Sequence, residues 1–303
     1  MKKKRPQELD MIIKRMQVIE KKRPGYKDIL GFYKYIIREQ NKMKPLIKTE
    51  PVDMDKEKAK HHLNEGFSLI DKKDIHLDMD SAANLFKKMC RGLLRKDARI
   101  AAEAKNISQA VRKKEVDLEE LFRRVLDGDK GYVDFIANKA GLHRWLLNFL
   151  AESSIKPSLE AYADMLKGYV DAGSWLRSNC PVCGSAPMMS ALKNIEGVEG
   201  AKFLLCSACG VEWRFKRLGC PFCENVDHKK LRYFNTEADG KAYRVDVCDE
   251  CKKYIKTIDI REVKENVVPM VDDIGTLHLD MIAEKEGYSR GVPGILEMER
   301  MER

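Results

Sequence analysis

The sequence has 303 residues, of which 44% are hydrophobic and 35% are charged, and its formal net charge is +9. This length supports a sizeable buried core in one large or two ordinary domains. No apolar run approaches the ~18 residues of a membrane-spanning helix, and no apolar signal-peptide stretch follows the basic start, so we expect a cytoplasmic protein without membrane insertion.

The positive charge is concentrated at the beginning of the chain. Residues 1–50 contain 15 Lys or Arg and 6 Asp or Glu, which accounts for the whole excess. Apolar residues between 8 and 40 recur at helical spacing around a break at Pro24-Gly25, with basic residues opposite them. The pattern predicts a basic amphipathic helical extension over 1–50. Its basic face is either solvated or docks an acidic partner, and residues 44–60 read as a linker.

Helical spacing continues through the next part of the chain and predicts a helical bundle domain over residues 60–177. Asp117 with Glu120 is a typical N-cap pair, and Pro157 is expected to begin the last helix. The connections are short, so neighbouring helices are expected to be antiparallel. Cys90 lies on an apolar helix face and is interpreted as a buried, inert thiol.

Eight of the nine cysteines form four Cys-x-x-Cys knuckles. Two intervening residues let both sulfurs face one ion from a tight turn, and Gly184 and Gly210 suit the positive φ that such a turn often requires. Two knuckles complete one tetrahedral four-sulfur site. The predicted ligands are Cys180, Cys183, Cys206, Cys209, Cys220, Cys223, Cys248 and Cys251.

The knuckles are expected to pair in sequential order, because the segment looks like an internal duplication. Each half begins with Cys-Pro-x-Cys and contains an alternating strand that ends on a second knuckle. Sulfur ligands alone leave zinc and iron open, and both Fe–S clusters and redox-active cysteine pairs stay as alternatives. His228 could be a substitute ligand, but the cysteines already complete both sites.

Helical spacing returns after the cysteines, with Gly287 as a C-cap. The predicted fold class is therefore α+β: a helical N-terminal domain followed by two zinc-ribbon metal modules and a C-terminal helix. We expect the first four-cysteine module at 178–218, the second at 219–262, and the C-terminal helix with a tail at 263–303.

The charge around the cysteines argues against nucleic-acid binding. Residues 178–262 hold 14 basic and 12 acidic side chains, whereas a nucleic-acid reader concentrates its basic charge on the recognition module. A zinc-ribbon nucleic-acid-binding protein nevertheless stays as the alternative function. Arg214, Arg217, Arg232 and Lys252 could instead offset the negative charge of the metal sites. The sequence shows no catalytic motif, so we expect a protein that is not an enzyme.

With these knuckles and the later motif Asp273-x-x-Thr276-x-x-x-Asp280, the sequence resembles the formate dehydrogenase accessory protein family, FdhE. The resemblance is specific over about 175–290. It implies two rubredoxin-like iron sites held by the eight cysteines. It also implies a cytoplasmic maturation factor that binds the catalytic subunit of formate dehydrogenase as its protein client. Asp273, Thr276 and Asp280 either cap and pack the C-terminal helix or contact that partner.

Overall fold

The computed structural model describes residues 4–95, 98–171, 175–292 and 294. The chain forms two compact units. Among the described residues, the sheet unit comprises 4–30, 53–70, 165–171, 175–292 and 294, and the helical unit comprises 31–52, 71–95 and 98–164. The end of the predicted tail lies outside the described residues. Among the helices that the structure describes, none is both long and apolar enough to cross a bilayer.

The described elements follow the predicted order of helices, then strands, then helices, which confirms the predicted fold class. The helices are α1 Lys4–Lys22, α2 Lys27–Met43, α3 Lys56–Glu65, α4 Met79–Leu93, α5 Ala98–Arg112, α6 Leu118–Asp127, α7 Lys130–Ala140, α8 Arg144–Leu166, α9 Pro269–Ile274 and α10 Leu277–Lys285. The strands are β1 Pro187–Ile195, β2 Val198–Cys206, β3 Glu212–Phe215, β4 Leu231–Phe234, β5 Tyr243–Cys248, β6 Lys253–Asp259 and β7 Ser289–Arg290.

The first two helices are separated by a short 3₁₀ turn at Pro24–Tyr26, where the sequence predicted a break. The predicted linker at 44–60 is partly helical, because α3 already begins at Lys56. The Asp55 side chain caps this helix by accepting hydrogen bonds from the backbone N–H groups of Glu57 and Lys58.

The helical unit is built from amphipathic helices with capped ends. Asp117 is the N-cap of α6 and accepts hydrogen bonds from the backbone of Glu119 and Glu120, as its spacing predicted. The rings of Phe86 and Phe122 meet edge to face at 6.0 Å in the core. Such pairs add to the stability gained from apolar burial.

The last helix of this region differs from the prediction. Pro157 lies inside α8, a continuous helix of 23 residues, rather than at the start of a new helix. An interior proline costs about 3 kcal/mol because it removes one backbone hydrogen bond and crowds the preceding turn. Ile155, Leu159 and Tyr162 are all buried on either side of it. Burial of side chains of this size can offset that cost.

The sheet unit contains one sheet in the order β3-β2-β1-β6-β5-β4, with β7 added beside β6. Strands β1 to β3 pair antiparallel with each other, and so do β4 to β6. Each group of three strands belongs to one half of the duplicated cysteine segment. In each half, one knuckle precedes the first strand and the other joins the second strand to the third.

The two halves share this sheet through a parallel pairing that the sequence did not predict. Ser190 and Thr257 are opposite each other in the β1–β6 ladder, which runs for three residue pairs. Their hydroxyl groups are also hydrogen-bonded. Met189, Ala191 and Ile258 form a buried apolar cluster at the junction. The two modules are therefore parts of one sheet rather than separately folded domains.

Helix α1 packs on α9 inside the sheet unit. Arg15 is buried, and its Nε atom donates a 2.9 Å hydrogen bond to Asp272 Oδ1. Tyr243 donates to the same carboxylate oxygen at 2.5 Å. One basic residue of the predicted 1–50 extension is thus neither solvated nor free to dock, because an internal carboxylate neutralises it.

Candidate metal centres

The four knuckles fold by a repeated pattern of backbone hydrogen bonds. In the first knuckle the Gly184 N–H donates to the Cys180 carbonyl at 2.9 Å, and the Cys180 N–H donates to the Ser185 carbonyl at the same distance. The third knuckle repeats this arrangement with Glu224 donating to Cys220 at 3.0 Å. The knuckles are therefore closed turns that hold both of their sulfurs on one side.

Each knuckle is followed by a residue with positive φ. In the first half these residues are Gly184 and Gly210, both at 72°. In the second half they are Glu224 at 59° and Lys252 at 54°. A residue with a Cβ atom pays roughly 1–2 kcal/mol in this left-handed region, whereas glycine does not. The two halves therefore share one turn geometry, but only the first half has glycine at the positions with positive φ.

The first group of four sulfurs comes from the first two knuckles. Cys183 Sγ lies 3.5 Å from both Cys206 Sγ and Cys209 Sγ, and Cys180 Sγ lies 3.6 Å from Cys209 Sγ. All four ligand atoms lie within 4.8 Å of one another. The knuckles are therefore joined in sequential order.

The second group comes from the third and fourth knuckles and has the same dimensions. Cys220 Sγ and Cys251 Sγ are 3.6 Å apart, and Cys223 Sγ and Cys248 Sγ are 3.7 Å apart. The Asn225 amide points at Cys248 Sγ from 3.8 Å. This contact was not predicted from the sequence, although Asn225 stands only two residues after a cysteine ligand.

These dimensions fit a tetrahedral metal ion in each group. Sulfurs about 2.3 Å from a central ion are about 3.8 Å apart, close to the distances here, whereas disulfide sulfurs are about 2.05 Å apart. All eight cysteines are free. Burial raises the pKa of Cys180 and of Cys220 above the usual thiol value, so a bound ion must displace protons from these thiols. Four sulfurs suit both zinc and iron.

The two groups differ in their exposure to solvent. All four cysteines of the first group are buried, whereas Cys223 of the second group is exposed and Cys251 is partly exposed. Residues 68–70 cover the first group. Leu69 and Ile70 donate backbone hydrogen bonds to Pro181 and Val182, at 2.8 and 3.0 Å. No sequence pattern indicates this covering segment, because it lies more than 100 residues before the cysteines it protects.

A buried ion-pair network stabilises the second half. Lys256 of β6 is fully buried, and its ammonium group lies 2.9 Å from Asp273 and 2.5 Å from Asp280. Arg290 of β7 binds Asp273 at 2.6 Å. Burial alone would raise the pKa of Asp273, but the two cations lower it below the usual value. The network joins β6 and β7 to α9 and α10.

This network also shows where the sequence motif of the C-terminal region lies. Asp273, Thr276 and Asp280 are buried, and Thr276 is the N-cap residue of α10 without a capping side-chain bond. Its hydroxyl instead donates to the Asp272 carbonyl at 2.8 Å. Burial and internal bonding favour packing over partner contact for these three residues. Gly287, at φ 85°, follows the end of α10 in the glycine position of a Schellman cap, as predicted.

The remaining predicted residues lie outside both groups. Cys90 is buried in the helical unit, and burial raises its pKa to about 12, which agrees with an inert thiol. Within the described residues, both four-ligand groups consist of cysteine alone, so His228 belongs to neither. Arg232 and Lys252 bind the carboxylate of Asp249.

The region that contains both cysteine groups matches known protein families. Residues 179–217 match the family description "FdhE, central domain" and residues 218–296 match "FdhE, C-terminal domain". The chain is 28% identical to a "Protein FdhE homolog" of Aquifex aeolicus over 283 residues, which are 93% of this chain and 92% of that protein. A homologue from Stutzerimonas stutzeri is 32% identical over 117 residues, 39% of this chain and 37% of its own length.

A solved structure has the same fold. The crystal structure of the FdhE protein from Pseudomonas aeruginosa superposes with a TM-score of 0.66 and 22% identity, covering 94% of this chain and 95% of that one. The predicted resemblance to the FdhE family is thereby confirmed.

Proposed function

We propose that this protein is a cytoplasmic, non-enzymatic accessory factor of the FdhE family. It binds the catalytic subunit of formate dehydrogenase and supports assembly or activation of that subunit. The observation that carries the proposal is the pair of four-cysteine sites within the FdhE central and C-terminal domains. One metal ion, iron or zinc, occupies each site and holds its knuckles and strands together.

Client binding can be tested by anaerobic affinity purification from the native cell. We expect the catalytic subunit of formate dehydrogenase to be recovered with the intact chain. A Cys220→Ser/Cys223→Ser variant should recover less of it, because the second site loses its ion. Cys90→Ala is the matched control, since it removes the one cysteine outside both sites. Recovery of nucleic acid or ribosomal components in place of the subunit contradicts the proposal.

The alternative, a zinc-ribbon nucleic-acid-binding protein, predicts steeply salt-dependent binding to DNA or RNA. The near balance of charge in residues 178–262 and the internal pairing of Arg15 with Asp272 both argue against it. Titration with a labelled oligonucleotide at low salt separates the two functions. Absence of binding under these conditions removes the alternative.

The identity of the ion decides what the sites do for the client. Iron bound by four thiolates can transfer one electron, whereas zinc has no redox chemistry. Metal analysis with visible absorption spectroscopy on anaerobically purified protein distinguishes them, and we expect two ions per chain. If both sites hold only zinc, their role is structural and electron transfer is excluded.

A further inference from the structure

A cationic cavity of about 80 Å³ lies beside the second metal site. Two of the site's ligands, Cys220 and Cys248, form part of its wall. Most charged side chains in the lining are basic, and one is acidic: Lys202, Arg217, Arg232, Arg244 and Lys253 against Asp246. This concentration of basic side chains is not apparent from the sequence, because residues 178–262 as a whole are nearly neutral.

Internal ion pairs neutralise only part of this charge. Asp246 binds Lys202 at 2.9 Å and Arg244 at 2.8 Å. Among the residues that the structure describes, Arg217 and Lys253 have no carboxylate partner. One guanidinium nitrogen of Arg217 donates to a backbone carbonyl, and the Lys253 ammonium lies 5.7 Å from the centre of the Phe222 ring. The cavity therefore presents cations that the folded chain leaves available to an anion.

The surroundings of the cavity suit an extended peptide. Strand β4 forms an edge of the sheet and, in the described part of the chain, pairs only with β5. Its other side offers backbone N–H and C=O groups to an added strand. Tyr233 of β4 is 63% exposed and Leu218 is 66% exposed, and both side chains line the cavity. Exposed apolar surface of this kind next to a strand edge is typical of a peptide-binding site.

We infer that the cavity and the edge of β4 form a docking site for an extended acidic segment of the client protein. This inference rests on the proposed function, and it names the part of the client that is bound. The edge of β4 supplies backbone hydrogen bonds, and Arg217 and Lys253 pair with carboxylates of the segment. Such charge complementarity mainly sets partner choice and association rate.

The cations have a competing explanation. Four thiolates around a divalent ion carry a net charge of about −2, and nearby cations can offset this charge. This explanation predicts that removing a cation weakens metal binding, whereas a docking site predicts that it weakens client binding. Metal content and client affinity must therefore be measured on the same variants.

The first experiment maps the contact with a photo-crosslinking residue. p-Benzoylphenylalanine is placed at Tyr233 or, as a control of equal exposure, at Phe135 of the helical unit, which is 61% exposed. Each metal-loaded chain is irradiated with purified catalytic subunit of formate dehydrogenase, and the linked peptides are identified by mass spectrometry. We expect position 233 alone to capture a segment rich in Asp and Glu. Capture of a neutral or basic segment, or equal capture by both positions, overturns the inference.

The second experiment reverses one charge. Lys253→Glu is compared with Lys139→Glu, whose ammonium lies over the Phe135 ring at 5.9 Å and so has a similar setting, although Lys139 is not among the residues that line the cavity. We expect Lys253→Glu to weaken client binding at least tenfold, Lys253→Gln to weaken it less, and Lys139→Glu to change it less than twofold. Full metal content in the Lys253 variants is part of this expectation. Lost metal with unchanged client affinity overturns the inference.

The two experiments also separate the inference from the proposed function. If the intact chain binds the catalytic subunit but neither Tyr233 nor Lys253 matters, the docking site is wrong and the proposed function stands. If the intact chain does not bind the subunit, while crosslinking from Tyr233 in cell extract captures an acidic segment of another protein, the client is wrong and the docking site stands.

Discussion

The two four-cysteine sites have the same turns, strand order and sulfur spacing, but they differ in their burial, in the residues that follow their knuckles and in their surroundings. The first site is fully buried, has glycine after both knuckles and is covered by residues 68–70. The second has an exposed cysteine, has Glu224 and Lys252 in the strained positions and borders a cationic cavity.

This difference indicates a division of roles within one duplicated design. Glycines lower the backbone strain of the first site's turns, and the covering segment protects its sulfurs from solvent. Both features are expected of a structural centre. The second half tolerates backbone strain and exposure, and it depends on buried ion pairs of β6 with α9 and α10. Strain and exposure are commonly concentrated at functional sites. The following predictions test this division.

Loss of metal should have the largest effect, and the effect should be larger at the first site. We expect Cys180→Ser/Cys183→Ser to lose one ion and on the order of 10 kcal/mol of stability, comparable to the whole stability of a typical domain. We expect a smaller loss from Cys220→Ser/Cys223→Ser, because water can solvate the exposed Cys223 position. Metal analysis and urea unfolding followed by tryptophan fluorescence measure both. Equal losses would contradict the division.

Removal of the buried cation of the second half should come next. We expect Lys256→Met to lower the free energy of unfolding by about 3–5 kcal/mol, because it leaves Asp273 and Asp280 buried without this partner. The control is Arg123→Met, which removes an exposed pair with Glu119 and should cost less than ~1 kcal/mol. Chemical denaturation of metal-loaded protein measures both variants. A loss at Lys256 no larger than the control would show that the network does not stabilise the second half.

Metal release should also distinguish the sites. With excess chelator we expect the second site to lose its ion at least tenfold faster, which corresponds to a barrier lower by about 1.4 kcal/mol. The reason is access, since a chelator can approach Cys223 without displacing the covering segment. Release is followed with a metal-sensitive dye, and the two cysteine variants assign each phase to a site. Faster release from the first site would contradict the interpretation of that site as the protected, structural centre.

The covering segment itself should give the smallest effect. Gly184 and Gly210 have the same φ, but a Cβ atom at Gly184 would lie 3.2 Å from Ser68 Oγ, whereas one at Gly210 meets nothing within 4 Å. We expect Gly210→Ala to cost about 1 kcal/mol from backbone strain alone and Gly184→Ala to cost about 2 kcal/mol. Thermal unfolding measures the stability of both variants. Equal losses of stability would mean that Ser68 does not pack tightly against Gly184.

The local features of this chain were predictable from the sequence, because local chemistry determines them. Knuckle spacing gave the ligand groups, duplication gave their pairing, and Asp117 gave a helix start. Pro157 was misinterpreted because burial of its neighbours outweighed its own preference. The parallel pairing of β1 with β6, the cover at 68–70 and the Arg15–Asp272 pair could not be predicted, since each joins segments far apart in sequence by complementary packing that no periodicity records.

The β1–β6 ladder has a consequence for self-association. Because β1 is the first strand of one repeat and β6 the third strand of the other, the free edges β4 and β3 are their counterparts. A pairing of this head-to-tail kind leaves one unpaired edge at each end, so repeats that offered good edges would add copy after copy into a ring or an open filament. Both outer strands have only four residues and carry charge, as with Arg214 and Arg232. Short, charged edges of this type resist further pairing, which limits the array to two repeats.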